Sequence, residues 1–268
     1  MKEDIRVIEA SEKNLDDLCN LCVSFEKRNN PDFMKGVELK KNWVEDMLRR
    51  WGSVAKIAYV EEAPAGLIQY VPIPDEMLVS IICIYVPQKE HWRKGIGRRL
   101  LTSLVEDMRN PKSWFGNESP SALITRPFSG EKPEQYPARS FFKDMGFKQV
   151  EEDPDLLYYP LKHGFVYRPV EQGESNYVPQ QDDKNRIVIM YRPSFCPWGY
   201  VFLKRSEQEI EKIAPGVRVQ WINSSEKPTE AEKRGISDGV IVNGRLIRSF
   251  VLNREAFIRE VLAALKEE

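Results

Sequence analysis

The sequence predicts an α+β domain with a mixed, mainly antiparallel sheet flanked by helices, followed by a small α/β domain. Three observations lead there. Two amphipathic helical patterns precede a series of apolar strand patterns. One of these strands, Met77–Val86 (MLVSIICIYV), is apolar on both alternating faces and runs into a glycine-bearing loop and a leucine-striped helix. After a polar, aperiodic stretch the pattern restarts at Arg186. At 268 residues and 31.2 kDa the chain exceeds the usual single-domain size, so two cores are expected.

Composition narrows the function classes. Hydrophobic residues are 41% and charged residues 30%, enough apolar matter for burial under a well-solvated surface. The 40 basic and 41 acidic side chains leave a net charge of -1, so no global field favours nucleic acid or an anionic membrane, and neither is expected as a partner. No run approaches the roughly 18 consecutive apolar residues of a membrane span. The opening MKEDIRVIEA lacks the apolar centre of a signal peptide, and a cytoplasmic location is expected. Cys19, Cys22, Cys83 and Cys196 are too few for a disulfide framework and are read as thiols. Cys19 and Cys22 have CxxC spacing but lie in a helical pattern with Leu15, Leu18, Leu21 and Phe25, without a second cysteine pair, so no metal is expected.

Taken in order, the elements are a strand at Ile5–Ala10, then the cysteine-bearing helix from Ser11 or Asn14, both N-cap residue types. A second helix is expected over Glu38–Trp51, where Leu39, Trp43 and Met47 recur at fourfold spacing. Ala55–Val60 and Gly66–Val71 read as a hairpin. The central strand Met77–Val86 follows, then a helix after Gly97 carrying Leu100, Leu101, Leu104, Val105 and Met108 until the breaker Asn110-Pro111. A strand at Ser121–Arg126, a helix at Pro137–Met145 and strands at Phe147–Val150 and Leu156–Leu161 complete the first unit, expected to span 1–165. Residues 166–185 read as a linker, and 186–268 as the second domain. In it, strand Arg186–Tyr191, helix Tyr200–Ile213 and strand Val217–Ile222 precede a hairpin over Asn243-Gly244 and a helix over Asn253–Lys266.

The loop Trp92-Arg93-Lys94-Gly95-Ile96-Gly97-Arg98 carries a chemical signal. Its glycines let the backbone turn so that the first N–H groups of the next helix, which lack intrahelical partners, converge on an anion. Arg93, Lys94, Arg98 and Arg99 add local positive charge. With the order of elements around it, the stretch IYVPQKEHWRKGIGRRLL, and PARSFFKDMGF further on, this chain resembles the GNAT acyltransferase superfamily over roughly residues 1–165.

That resemblance implies an acyl-CoA acyltransferase fold and acetyl-CoA as co-substrate, with no metal. It assigns pyrophosphate binding to Arg93, Lys94, Gly95, Ile96, Gly97 and Arg98, pairing with the pantetheine arm to Ile84, Tyr85 and Val86, and a further cofactor contact to Gln135. It implies transfer of an acetyl group to an unidentified primary amine, on a small molecule or a peptide, by direct attack in a ternary complex. Two departures stand out. Trp92 occupies a position where the family commonly has Gln or Arg, and Phe142 stands where many members have a tyrosine that protonates the leaving thiolate. Tyr136 and Tyr85 are the candidate proton donors left, and Glu76 and Glu118 candidate bases. A non-catalytic CoA-binding protein is the alternative that Phe142 suggests.

In the second domain, Ser194-Phe195-Cys196-Pro197-Trp198-Gly199 follows a strand and opens a helix, where a thiol is activated by helix N–H groups. The segment resembles thioredoxin-like proteins, with Gly199 in place of the second cysteine and Asp238 at the position such folds give to a cis-proline. Cys196 is therefore the alternative site, for a thiol-dependent redox protein. The two-domain arrangement resembles the YoaP-like architecture. Oligomeric state is left between monomer and dimer.

Overall fold

The computed structural model describes residues 4–128, 134–169 and 177–266. They group into two compact units, Met1–Ser24 with Val44–Gln172, and Phe25–Trp43 with Gly173–Glu268. Residues 170–176 of the expected linker lie outside the described residues.

The first unit is built on a seven-stranded sheet ordered β1-β2-β3-β4-β5-β7-β6. Its strands are β1 (Ile5–Glu9), β2 (Ala55–Val60), β3 (Ala63–Ile73), β4 (Leu78–Tyr85), β5 (Ala122–Thr125), β6 (Lys148–Gln149) and β7 (Leu157–Pro160). All neighbours are antiparallel except β4 and β5, which run parallel. The β2–β3 turn is tighter than the expected five-residue connection: Val60 pairs with Ala63, and Glu61 takes a positive φ of 55°. One face of the sheet is covered by α3 (Ile96–Met108), whose Leu100, Leu101, Leu104 and Met108 are fully buried. Each such side chain contributes roughly 1.5–3 kcal/mol, so this stripe fixes α3 firmly over the sheet. The short α1 (Leu15–Asn20) and α4 (Ala138–Asp144) complete the unit, α1 ending before Phe25, which is 82% exposed rather than part of an amphipathic face.

Helix α2 runs over Pro31–Trp51, beginning well before the expected Glu38. Asn30 caps it through Oδ1, which accepts hydrogen bonds from the N–H groups of Asp32 (2.9 Å) and Phe33 (3.4 Å), and Pro31 fills the first turn, where its missing N–H is harmless. Gly36, an unfavourable helix residue, hid this start from a propensity reading.

In the second unit the strands β8 (Ile187–Tyr191), β9 (Val219–Asn223), β10 (Gly239–Val242) and β11 (Arg245–Ile247) form a sheet ordered β11-β10-β8-β9. β8 and β9 are parallel, joined through α5 (Trp198–Ile213), and β10 is antiparallel to both β8 and β11. α7 (Arg254–Lys266) packs Phe257, Val261 and Ala264 into the core beside Ile210. Two features were not foreseen. A short helix α6 (Pro228–Arg234) follows β9, and Asp183, inside the stretch read as linker, is fully buried against Arg234.

Candidate functional site

The loop between β4 and α3 has the geometry of an anion cradle. Arg93 and Gly95 adopt positive φ (61° and 86°) while Lys94 between them does not, an alternation that turns successive N–H groups toward one side. Gly95 is the N-cap, no side chain caps the helix, and its first turn holds no acidic residue. The N–H groups of Ile96, Gly97 and Arg98 thus precede the first intrahelical bond, from Arg99 N–H to the Gly95 carbonyl at 3.0 Å. Arg93, Lys94 and Arg98 are all exposed around this opening. A phosphate fits such donors and charges.

Beside the loop, the sheet forks. β4 and β5 pair only from Leu78/Ala122 to Ile81/Thr125, whereas β3 accompanies β4 as far as Tyr85. The fork is pinned at its apex by the Thr125 hydroxyl, which donates to the Ile81 carbonyl at 2.9 Å. Pro127, having no N–H, cannot extend the ladder. At the same level the β3–β4 register shifts, with Gln69 opposite Cys83 and Tyr70 opposite Ile81, which leaves Ile82 as a bulge. The residues beyond it, Ile84, Tyr85 and Val86, are half-buried and lie on the β4 edge that β5 has left. An extended chain-like ligand can add to such an edge as a strand.

Gln69 is a residue that sequence reasoning missed. It is fully buried at the bulge, and neither Nε2 nor Oε1 has a hydrogen-bond partner among the described residues. Its signal in the sequence was a single amide inside the apolar run Gly66-Leu67-Ile68-Gln69-Tyr70-Val71. A buried amide left unpaired is unfavourable by about 1–3 kcal/mol, so its retention next to the fork is consistent with a role other than stability.

Other expected residues fall out differently. Trp92 closes the loop onto the strand, its indole N–H donating to the Val86 carbonyl at 2.8 Å. Phe142 is 2% exposed and points into the core, with Phe141 and Phe147 at ring-centroid distances of 5.4 and 5.0 Å. The ring that faces the loop is Phe141, whose Cζ stands 3.5 Å from where a β-carbon on Gly97 would be. Tyr136 is 53% exposed and donates its phenol proton to Asp144 at 2.5 Å, a hydrogen bond that raises the phenol pKa. Lys89 and Glu134, 4.0 Å apart, bring the segment containing Gln135 beside the β4–α3 connection.

Glu76 and Glu118 are not brought to the fork. Glu76 precedes the first residue of β4, so the length of that strand, more than about 20 Å at about 3.3 Å per residue, separates it from Tyr85. There it accepts a hydrogen bond from Tyr167, whose phenol is pushed up to about 12 by burial and then by the Glu76 charge. Glu118 pairs at the surface with Lys162 at 3.5 Å.

In the second unit Cys196 is half-buried, two residues before α5, with its N–H 3.4 Å from the Ser194 hydroxyl. Asp238 forms an ion pair with Arg192 at 3.1 Å. The CxxC cysteines Cys19 and Cys22 are buried, and among the described residues no group of three His, Cys, Asp or Glu side chains could hold a metal.

Residues 17–122 match the model of the acetyltransferase (GNAT) family. No curated protein matches the chain. Among solved structures, an acetyltransferase of the GNAT family from Staphylococcus aureus Mu50 is 15% identical, the match covering 59% of this chain and 100% of that one with a TM-score of 0.44. PaiA N-acetyltransferase from Thermoplasma acidophilum, in complex with coenzyme A, is 14% identical over 59% of this chain and 99% of that one, with a TM-score of 0.42. The ribosomal-protein-S18-alanine N-acetyltransferase from Escherichia coli is 11% identical over 61% of this chain and 100% of that one, with a TM-score of 0.39. The protein thus carries, over residues 17–122, an acetyltransferase (GNAT) family domain and is by that domain an acyltransferase.

Proposed function

We propose that the protein is an N-acyltransferase that moves the acetyl group of acetyl-CoA to a primary amine in a ternary complex. The observation that carries this reading is the juxtaposition of an uncapped, cation-ringed helix N-terminus with a strand edge freed by the fork. Arg93, Lys94, Gly95, Ile96, Gly97 and Arg98 hold the pyrophosphate, while Ile84, Tyr85 and Val86 align the extended arm, with Gln135 as a flanking contact.

In the reaction a neutral amine attacks the thioester carbonyl carbon, the C–N bond forms and the C–S bond breaks. The amine loses a proton to solvent and the departing thiolate takes one up, giving the amide and free CoA thiol. Backbone N–H groups at the end of β4 polarise the carbonyl. Of the two candidate proton donors, Tyr85 stands at the end of β4 on the freed edge, while Tyr136 donates its phenol proton to Asp144.

The order β8-α5-β9-α6-β10-β11-α7 supports a thioredoxin-like, YoaP-like second domain over 186–268, with 1–165 as the acyltransferase domain and 166–185 connecting them. Four free thiols support a cytoplasmic location, and no helix among the described residues is long and apolar enough to cross a membrane. Acceptors are amines on small molecules or peptides.

The test is calorimetric titration with acetyl-CoA, coupled to release of CoA thiol with a panel of amines. Saturable binding with amine-dependent thiol release supports transfer. Binding without release under every amine favours the non-catalytic alternative, and no saturable binding removes both.

A further inference from the structure

Within the second unit lies a cavity of about 330 Å³ that the acyltransferase reading does not use. It opens beyond the carboxyl end of β8, where Tyr191 ends the strand, and beside the first turn of α5, at Gly199 and Tyr200. Crevices beyond the carboxyl ends of parallel strands are where open sheets hold ligands. Its walls are largely aromatic and aliphatic, from Leu39, Trp43, Tyr191, Phe195, Tyr200 and Leu203. Trp43 and Phe195 meet edge to face at 6.2 Å, and Tyr191 and Tyr200 at 5.7 Å, so the walls are already packed rather than collapsible.

The charged part of the lining is Arg192 and Asp238, joined through Nε and Oδ2 at 3.1 Å. That contact uses one guanidinium nitrogen and one carboxylate oxygen. Among the described residues the two terminal nitrogens of Arg192 and Oδ1 of Asp238 make no other hydrogen bond, and both side chains are more than half exposed, at 55% and 60%. The cavity therefore offers one positive and one negative group in direct contact, next to an aromatic enclosure.

We infer that this cavity binds a free α-amino acid with an aromatic side chain. The ammonium and carboxylate of such a ligand stand on one carbon, so they match two protein charges that are themselves in contact. The carboxylate takes the terminal nitrogens of Arg192 and the ammonium takes Oδ1 of Asp238, while the ring enters among Trp43, Phe195 and Tyr200. A peptide residue has lost one or both charges and satisfies only part of the set. The volume stands at the low end for small-molecule pockets and suits a ligand of this size. Cys196 lines the same cavity and serves as a built-in reporter, because an occupied cavity restricts access to its sulfur.

The experiment titrates the full chain calorimetrically with L-phenylalanine, phenethylamine and 3-phenylpropionate. In parallel, the rate of iodoacetamide labelling at Cys196 is read by peptide mass spectrometry. Saturable phenylalanine binding is expected, with the amine and the acid each at least about tenfold weaker and Cys196 labelling slowed severalfold by saturating phenylalanine. Arg192→Gln and Asp238→Asn should each weaken phenylalanine binding about tenfold, with thermal unfolding reporting their integrity. No saturation by about 10 mM phenylalanine, equal affinity for the three ligands, or unchanged affinity in both variants overturns the assignment. Should either variant unfold, the three-ligand comparison on the unaltered protein decides.

Discussion

The carbonyl oxygen of Pro197 lies 2.2 Å from where a β-carbon on Gly36 would stand, so α2 and the loop carrying Cys196 touch backbone to backbone. In Gly36→Ala the helix gains up to about 1 kcal/mol of intrinsic propensity, but a carbonyl cannot rotate aside as a side chain would. The clash should dominate, with a net loss of roughly 1–3 kcal/mol and Cys196 alkylated severalfold faster. Unchanged stability and labelling would show that the contact is looser than this.

Asp183 and Arg234 are 0% and 1% exposed and joined by three hydrogen bonds of 2.6–3.1 Å. Asp183→Ala leaves a buried guanidinium whose acidic partners among the described residues are Glu230 at 2.6 Å and Asp182 at 3.6 Å, and urea unfolding should register a loss of about 3–5 kcal/mol. Replacing both residues by apolar ones of similar size should be less damaging than removing Asp183 alone, which a double-mutant cycle measures.

Acid should loosen the first unit at Asp107. Burial by itself pushes this carboxyl up, but hydrogen bonding to Lys112 at 2.5 Å and the charge of Lys56 at 3.3 Å outweigh it and hold the pKa below the usual aspartate value. A group whose folded pKa is depressed stabilises above its unfolded value, about 3.9, and that stability is lost as pH falls through the folded value. Among the described residues Lys56, itself buried, then keeps only Glu9 as an acidic partner, at 3.2 Å. Asp107→Asn should flatten the acid limb of a stability-versus-pH curve below about pH 4 and lower stability at neutrality.

Gln69→Leu separates function from stability. Removing an unpartnered buried amide should leave unfolding unchanged or raise its midpoint, whereas acetyl transfer should fall about tenfold or more if the amide contacts reactants at the fork. Activity equal to that of the parent would make Gln69 a bystander.

Phe142→Tyr should not restore a proton donor. The ring lies in the core with Phe141 and Phe147, so its new hydroxyl is buried without a partner at a cost of about 1–3 kcal/mol. Reduced stability without faster thiol release is the expected result; faster release would mean that the ring reaches the fork after all.

How much of this was readable in the sequence depended on where the signal is stored. The central strand, the leucine stripe of α3 and the glycine loop were readable because each rests on local periodicity or on backbone freedom. The early start of α2 was not, since Gly36 speaks against a helix and its reason is Pro197, far along the chain. The fork was half visible in Pro127, but the bulge at Ile82 depends on pairing with β3, which no local pattern encodes. Phe141 and Phe142 are adjacent and chemically identical, so only the packed structure distinguishes the ring facing Gly97 from the one in the core. Asp183 read as a solvated linker residue because its partner is distant in sequence.

The second unit is assembled from two stretches separated by most of the first, Phe25–Trp43 and Gly173–Glu268. During synthesis the earlier stretch leaves the ribosome long before its sheet exists, carrying Phe33, Val37 and Leu39, which are buried in the finished protein. That face waits while more than a hundred further residues are made, a delay on the order of ten seconds at roughly 5–20 residues per second. The interval is a window for chaperone capture or misassociation that a contiguous second domain would not open, and it makes the order of translation part of how this protein reaches its fold.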